Sequence, residues 1–311
     1  MHRFVFLALL SACSSKEDSD TSGGSSGADG IEIPSDPSDG VCPDMTSSGT
    51  ATFSSSGEER IVTVVAPQNV TEGMPLVFFF HGLLSPASTP RPTEYMASAL
   101  RLQTLADDLG VVLLLPQSDI MERLTMQFFM WDVESSESAD LVLFDDLRAC
   151  AYRELNIDLS RVHAMGFSGG ALFSTVVAAE RSNILASMVQ MSGGSDIDMM
   201  TFEQPLSRYS SFDYSLPSLL ITGGSTDEWP GDGLTLVDFT AATDTLQSHL
   251  VDDGHYVVRC EHNYGHTVPP SASAVAREWI EAHRHGDPSP IQSAGIEGMD
   301  SFAGWCVNVR N

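Results

Sequence analysis

At 311 residues the chain has room for one large or two small domains, and its net charge of −27 sets it far from neutrality. With 15 basic residues against 42 acidic ones, it lacks the cationic surface that nucleic-acid phosphates require and is repelled by anionic lipid heads and polyanionic polymers. Lys16 is the sole lysine, so Ser-Lys dyads, Schiff-base lysines and phosphate-loop lysines are excluded from any domain that begins after it.

Met1-His2-Arg3 is a short basic start, and Phe4 to Leu10 is an apolar run too short to span a bilayer. It leads into Leu10-Ser11-Ala12-Cys13, which resembles the bacterial lipobox, where the cysteine becomes the lipidated N-terminus after cleavage. Residues 1–13 are therefore expected to be a lipoprotein signal peptide with Cys13 as the lipidation site. Ser14, rather than an aspartate, follows Cys13, so the resemblance implies the outer membrane or cell surface, or otherwise secretion. Residues 14–41 are rich in Ser, Gly, Asp and Thr and are expected to be a disordered tether, too polar to offset the entropy of ordering. As a flexible coil the tether would reach on the order of 30 Å. No later stretch is apolar and long enough to be a transmembrane helix, so membrane association is expected only through the N-terminal anchor. Residues 42–311 are read as one folded domain. Beyond Cys13, the cysteines are Cys42, Cys150, Cys260 and Cys306. An even set in an exported chain points to two disulfides with three connectivities open, the alternative being buried free thiols.

Along the domain, Thr50–Ser54 and Arg60–Val65 alternate with a period of two and predict an antiparallel hairpin. Pro75–Phe80 is a continuous apolar strand, as in a sheet covered on both faces, and ends in His81-Gly82-Leu83-Leu84. Thr93–Leu109 reads as one helix closed by Gly110, and Val111–Leu115 as the next strand. Residues 117–137 read as irregular. Asp140–Leu155 is a helix, Arg161–Met165 a strand and Ala171–Glu180 a helix. Ser187–Met191 is a strand ending at Ser192-Gly193-Gly194 and followed by about twenty loop residues. Pro217–Thr222 is a strand ending in Gly223-Gly224, Thr235–Val251 a helix, Tyr256–Arg259 a strand and Ser273–His283 a helix. A Gly/Pro-rich tail over 286–311 closes the chain. Strands alternating with helices predict a mostly parallel sheet flanked by helices.

Gly166-Phe167-Ser168-Gly169-Gly170 lies between one such strand and helix. A serine between glycines at that junction is a nucleophile elbow, where the tight turn excludes side chains at Gly166 and Gly170 and holds the serine in a strained conformation. A free hydroxyl is a weak nucleophile and needs a base. His266, in Gly265-His266-Thr267-Val268-Pro269, follows the last of these strands. An acid that fixes the tautomer of the base is supplied by Asp227 in Gly223-Gly224-Ser225-Thr226-Asp227. Ser192 and Ser225 are rival serines without the flanking glycines. Glu228 and Asp232 rival the acid, and His262 rivals the base. His262 and His266 also have metal spacing, but Gly265 and Pro269-Pro270 disfavour the helix that such a site needs, so neither a metal nor a cofactor is expected. His81 reads as serving the strand end structurally, His163 as a core residue, and His283 and His285 as surface groups at a helix end. Trp131 and Trp229 are pocket candidates.

In order along the chain, His81-Gly82 after an apolar strand, Arg161-Val162 before Gly166–Gly170, Ser192-Gly193-Gly194, Gly223-Gly224 with Asp227, and Gly265–Pro269 resemble the secreted α/β-hydrolases of the polyhydroxybutyrate depolymerase and feruloyl or acetylxylan esterase kind. The acid loop of that group commonly reads Gly-Thr-x-Asp, whereas this chain has Gly224-Ser225-Thr226-Asp227. The resemblance implies an α/β-hydrolase fold without a large cap domain, making 42–311 the catalytic domain. It implies an oxyanion hole from the backbone N–H groups of Gly169 and Leu83, and a serine esterase acting on a polymeric or bulky ester. In that fold the first hairpin and the helix carrying Cys150 share one half of the sheet, and the last strand lies at the other edge near the tail. The implied pairing is Cys42–Cys150 and Cys260–Cys306. A serine peptidase of the same fold, or a non-catalytic surface protein that only binds a glycan or polymer, would carry much of the same pattern.

Overall fold

A computed structural model of the protein describes residues 31–309 except 124, 135–137, 200–203 and 232. The expected signal peptide with Cys13, residues 14–30 of the expected tether, and the rival acid Asp232 lie outside the described residues. The chain opens with β1 (Gly49–Ser55), β2 (Glu58–Val65) and β3 (Leu76–Phe80), then α1 (Pro92–Ala99), α2 (Leu102–Leu109) and β4 (Val112–Pro116). Next come β5 (Asp119–Arg123), β6 (Met126–Met130), α3 (Ala139–Leu155), β7 (Val162–Phe167), α4 (Gly169–Arg181) and β8 (Ser187–Met191). The second half runs through β9 (Ser218–Thr222), β10 (Glu228–Gly231), β11 (Leu234–Asp238) and α5 (Phe239–Asp252). It closes with β12 (Val257–Glu261), α6 (Ala272–Ala282), α7 (Pro290–Ala294) and β13 (Cys306–Val309).

Among the described residues the main sheet has nine strands in the order β1-β2-β4-β3-β7-β8-β9-β12-β13. Its middle, from β4 to β12, is parallel throughout, and the β1–β2 hairpin and β13 add antiparallel edges. Burial on both faces is visible in one strand. Leu76, Phe78 and Phe80 of β3 pack into one apolar layer with Phe144 and Phe173, while Val77 and Phe79 pack into the other with Leu105 and Trp279. Period-two alternation thus distributes an unbroken apolar run between two cores.

Several expectations are corrected. Residues 31–41 are not tether: Ile31 is buried in the core, Arg148 Nη2 donates to Glu32 O at 2.6 Å, and Ser38 Oγ donates to Asp146 at 2.6 Å. The folded domain therefore begins by Ile31 rather than at Cys42, because Ile31 joins the apolar core and α3 holds the neighbouring backbone and Ser38. The helix expected over 93–109 is two helices, broken where Arg101 takes left-handed angles (φ 52°, ψ 43°) with no glycine or proline to mark it. The segment expected to be irregular contains the hairpin β5–β6. The helix expected from Thr235 starts at Phe239, capped by Asp238 (Ala241 N–H to Oδ1, 2.9 Å), and β10–β11 fill the residues before it. The two disulfides are those the resemblance implied: in the tail β13 pairs with β12, and Cys260–Cys306 joins residues directly opposite each other in that pair. Cys42–Cys150 ties the N-terminal arm to α3.

His283, expected at the surface, is 1% exposed. It is bonded through Nδ1 to Trp279 O and through Nε2 to Ser289 Oγ, both at 2.7 Å. Burial pushes its pKa from 6.5 down to about 4. His163, wholly buried, is pushed well below 6.5 by burial first and then by His283 and Arg161. These depressed values mean that between pH 6.5 and about 4 the unfolded chain binds protons that the fold refuses, so stability falls as pH falls through that window. A shift of this size is worth on the order of 3 kcal/mol for one histidine. In urea titrations the unfolding midpoint is expected to drop as pH falls from 6.5 to 4, with a slope shallower by about one proton in His283→Gln. Equal slopes in the two proteins would contradict this.

Candidate active site

The central strands end on one side of the sheet, and β7 turns there directly into α4. The turn is tight enough to dictate its sequence. A Cβ on Gly166 would lie 2.4 Å from Gly170 O, and one on Gly170 would lie 2.1 Å from Phe80 O. Ser168 takes φ 55°, ψ −126°, a region costly for a residue with a side chain. Its own N–H donates to Met191 O at 2.9 Å, and its carbonyl accepts from Leu172 N at 3.0 Å. The backbone is thus held from both sides, and the hydroxyl stands at the mouth of the turn.

His266 and Asp227 arrive from the loops after β12 and β9. The Ser168 hydroxyl lies 2.9 Å from His266 Nε2, and His266 Nδ1 lies 2.8 Å from Asp227 Oδ1. A carboxylate accepts only, so Nδ1 carries the proton and Nε2 faces the serine as a base. Asp227 is fully buried, and its other oxygen accepts from Gly223 N (2.7 Å) and Thr222 Oγ1 (3.1 Å). Burial alone would raise its pKa, but the hydrogen bonds from His266 and the Gly223 N–H outweigh it and hold the carboxyl below its usual 3.8. Gly223 is required for the approach of the two loops, since a Cβ there would stand 2.1 Å from Gly265 O. The His266 ring is sandwiched between Phe167 (centroids 5.0 Å apart) and Phe239 (4.3 Å).

No described rival residue bonds the ring of His266, whose two nitrogens face Asp227 and Ser168. Glu228 accepts from Thr235 Oγ1 at 2.6 Å across the β10–β11 hairpin. His262 takes the Tyr264 N–H on Nδ1 at 3.2 Å and stacks on that ring. Ser192 follows β8 with its N–H on Ile221 O, and Ser225 lies in an exposed turn after β9.

Opposite the elbow, the segment after β3 passes alongside α4. A Cβ on Gly169 would lie 3.4 Å from Leu83 N, so the two backbones run about a methyl group apart. The Gly169 N–H belongs to the first turn of α4, the positive end of its dipole. Beyond them opens a cavity of about 120 Å³, walled by Leu83, Phe128, Trp131, Leu172, Trp229 and Phe239 among others, and none of its described lining residues is charged. Trp131 is buried, stacked on Phe173 at 4.8 Å, whereas Trp229 is part-exposed and meets Phe128 edge-on at 6.5 Å. This last contact joins the two hairpins β5–β6 and β10–β11 over the serine.

Sequence reasoning missed these hairpins and Phe239. Pro230-Gly231-Asp232-Gly233 carries a turn signal that would have found the second hairpin. The first has none, because Thr125 takes φ 67° where a glycine or asparagine would have advertised the turn. Gly170→Ala is expected to lose on the order of 3 kcal/mol or more of stability, since the new methyl meets backbone rather than a movable side chain. A thermal midpoint unchanged from wild type would show that the elbow can relax.

No protein-family model matches the chain. Over 139 residues it is 27% identical to the bifunctional acetylxylan esterase/xylanase XynS20E of Neocallimastix patriciarum, a stretch covering 44% of this chain and only 18% of that protein. Among solved structures it is similar to native sOPH, with a TM-score of 0.63 at 16% identity over 80% of this chain and 94% of the other. It is also similar to the CE1 ferulic acid esterase of Anaeromyces mucronatus in complex with ferulic acid, with a TM-score of 0.53 at 16% identity over 78% and 96% of the two chains. At such identities the likeness lies in the path of the backbone, and it coincides with the mixed sheet, flanking helices and strand-to-helix elbow described above. The chain has the α/β-hydrolase fold.

Proposed function

We propose that the protein is a serine carboxylic-ester hydrolase working through an acyl-enzyme on polymeric or bulky esters, of the polyhydroxyalkanoate or plant cell-wall feruloyl and acetyl kind. The observation that carries this reading is the unbroken hydrogen-bonded line Asp227–His266–Ser168 opening onto an uncharged apolar pocket. Ser168 Oγ attacks the ester carbonyl carbon while His266 Nε2 takes its proton. The carbonyl oxygen becomes an oxyanion against the N–H groups of Gly169 and Leu83, which are fixed in place before charge develops. His266 then returns the proton to the departing alkoxide oxygen, releasing the alcohol. A water repeats the attack on the acyl-enzyme with His266 again as base, and the carboxylic acid leaves with Ser168 restored. Asp227, ionised at neutral pH, keeps the proton of His266 on Nδ1 and stabilises the imidazolium. The apolar lining suits the acyl side of the ester, leaving the alcohol side toward solvent.

Likeness to an acetylxylan esterase/xylanase and to a ferulic acid esterase supports the choice of ester over peptide. In the same reading residues 1–13 are a lipoprotein signal peptide and Cys13 is the anchor. Residues 14–30 then separate the anchor from the catalytic domain at the outer membrane or cell surface. The two disulfides fit that oxidising side of the membrane.

The test is a panel of hydroxybutyrate oligomers, feruloyl-arabinose, acetylated xylan and p-nitrophenyl acyl esters, offered to wild type, Ser168→Ala and Asp227→Asn. Wild type is expected to turn over members of the panel. Asp227→Asn, which presents the wrong partner to Nδ1, is expected to lose ~10³–10⁴ in kcat, and Ser168→Ala at least as much. Equal rates for wild type and Ser168→Ala would end the reading, and a strong preference for short soluble esters over every polymeric one would remove its polymer part.

A further inference from the structure

Asp227 and Ser168 hold the His266 ring by its edge, at the two nitrogens, and the faces of the ring are stacked on phenylalanines. Phe239 lies at a centroid distance of 4.3 Å and an interplanar angle of 15°, Phe167 at 5.0 Å and 28°. Only 15% of the His266 side chain is exposed, so solvent reaches little of it. Each phenylalanine is tied through the backbone to another member of the triad. Phe167 ends β7 immediately before Ser168, and its Cδ1 stands 3.3 Å from where a Cβ on Gly82 would lie. Phe239 opens α5, is 3% exposed, and donates its N–H to Asp227 O at 2.8 Å.

These rings meet His266 in two states of charge. When Ser168 Oγ attacks the ester, its proton passes to Nε2 and the neutral imidazole becomes an imidazolium; the same happens when water attacks the acyl-enzyme. Asp227 meets that charge at Nδ1 only, along the edge of the ring. The rest of the charged ring stays among apolar groups, and none of the described residues lining the adjoining pocket is charged. A charge so placed is costly unless something compensates it. The face of a phenyl ring is negative, and a cation within about 6 Å of its centroid is drawn to it, most strongly where water is excluded. Both centroid distances lie inside that limit. A neutral imidazole gains less from the same stack, so the attraction grows as the charge develops, and an interaction that strengthens toward the transition state accelerates the step. Aliphatic side chains of similar volume would exclude water equally well without that attraction.

We propose that Phe239 and Phe167 are positioning residues of His266 whose ring faces also stabilise the imidazolium formed in both attack steps. The proposal rests on the hydrolase reading above for the proton transfer itself. It gives a task to the residue between the first glycine and the serine of the elbow, and to the first residue of α5. Phe239, nearer and more nearly parallel to the ring, carries the larger share.

The experiment replaces Phe239, and in a second set of proteins Phe167, by phenylalanines carrying one, two and three ring fluorines, introduced by nonsense suppression. Fluorine drains negative potential from the ring face and leaves the shape of the ring almost unchanged, so a role in packing alone is left intact. Turnover of p-nitrophenyl butyrate gives kcat and KM. Affinity for a trifluoromethyl ketone reports the same charge at equilibrium, because the Ser168 proton moves to His266 as the oxyanionic adduct forms. At Phe239 the logarithm of kcat is expected to fall in even steps with each fluorine, to roughly 10-fold below wild type with all three. Ketone affinity is expected to fall in parallel, with KM and thermal midpoint little changed, and the series at Phe167 to fall in the same direction with a shallower slope. A kcat independent of fluorine content at both positions, or losses that follow the thermal midpoint, would reduce the two rings to packing. Phe239 lines the pocket and Phe167 does not, so a slope confined to Phe239 would also overturn the proposal and mark a contact with substrate instead. Failure of the hydrolase reading is told apart by wild type and Ser168→Ala having equal rates.

Discussion

The structure depends on one close approach of backbones. The first turn of α4 lies so near the end of β3 that a single methyl on Gly170 would be 2.1 Å from Phe80 O. That contact brings the segment after β3 alongside the elbow, close enough that a Cβ on Gly169 would meet Leu83 N at 3.4 Å. A second approach of the same kind, Gly223 against Gly265, brings the loop of the acid to the loop of the histidine. Side-chain chemistry at the site follows from these two glycine-lined contacts, because hydrogen bonds of 2.8 and 2.9 Å through His266 can form only when three separate strand ends converge.

Charge in this acidic chain is arranged by burying a few of its arginines. Arg60 is 2% exposed and bonds Asp140 at 2.5 Å, while Asp140 also accepts the Asp132 N–H and Arg60 reaches Asp119 at 3.5 Å. Burial raises the pKa of Asp140 and Arg60 works against that rise. A buried pair adds little net stability but is costly to break, and it therefore defines position. Asp119 and Asp132 bracket the β5–β6 hairpin, so this pair sets where one wall of the pocket stands. Arg181 grips Asp145 through two nitrogens and joins α4 to α3 on the opposite flank.

The histidines divide into two uses. His81, His163 and His283 are buried and kept neutral by burial; His81 and His283 spend both ring nitrogens on fixed neighbours, and His163 spends Nδ1 on Ser187 Oγ. His266 is instead stacked between two phenylalanines, with one nitrogen on a carboxylate and the other on a hydroxyl. Aromatic faces confine the ring without supplying a competing hydrogen bond, which leaves Nε2 facing the Ser168 hydroxyl.

Much of this was legible along the chain because it is local. Unbroken apolar runs such as Leu76–Phe80 mean strands buried on both faces, and glycines at 166 and 170 mean a turn with no room for Cβ atoms. The order of Ser168, Asp227 and His266 after successive strands could be read in the same way. The misread parts have their reasons in longer-range contacts. Ile31 joins the core in a segment that Arg148 of α3 holds through Glu32 O, and Arg101 breaks a helix without any residue that marks a break. The β5–β6 hairpin turns through Thr125 and is held by Arg60 from a distant strand, and His283 lies inside because Ser289 and Trp279 close around it. Sequence by itself determined which strands are buried, where the chain must turn without side chains, and which three residue types stand at the strand ends. Tertiary structure alone decided the walls of the pocket and the approach of the segment at Leu83 to the elbow. Both are set by side chains and peptide planes that are far apart in sequence and meet only when the sheet has closed its two cores.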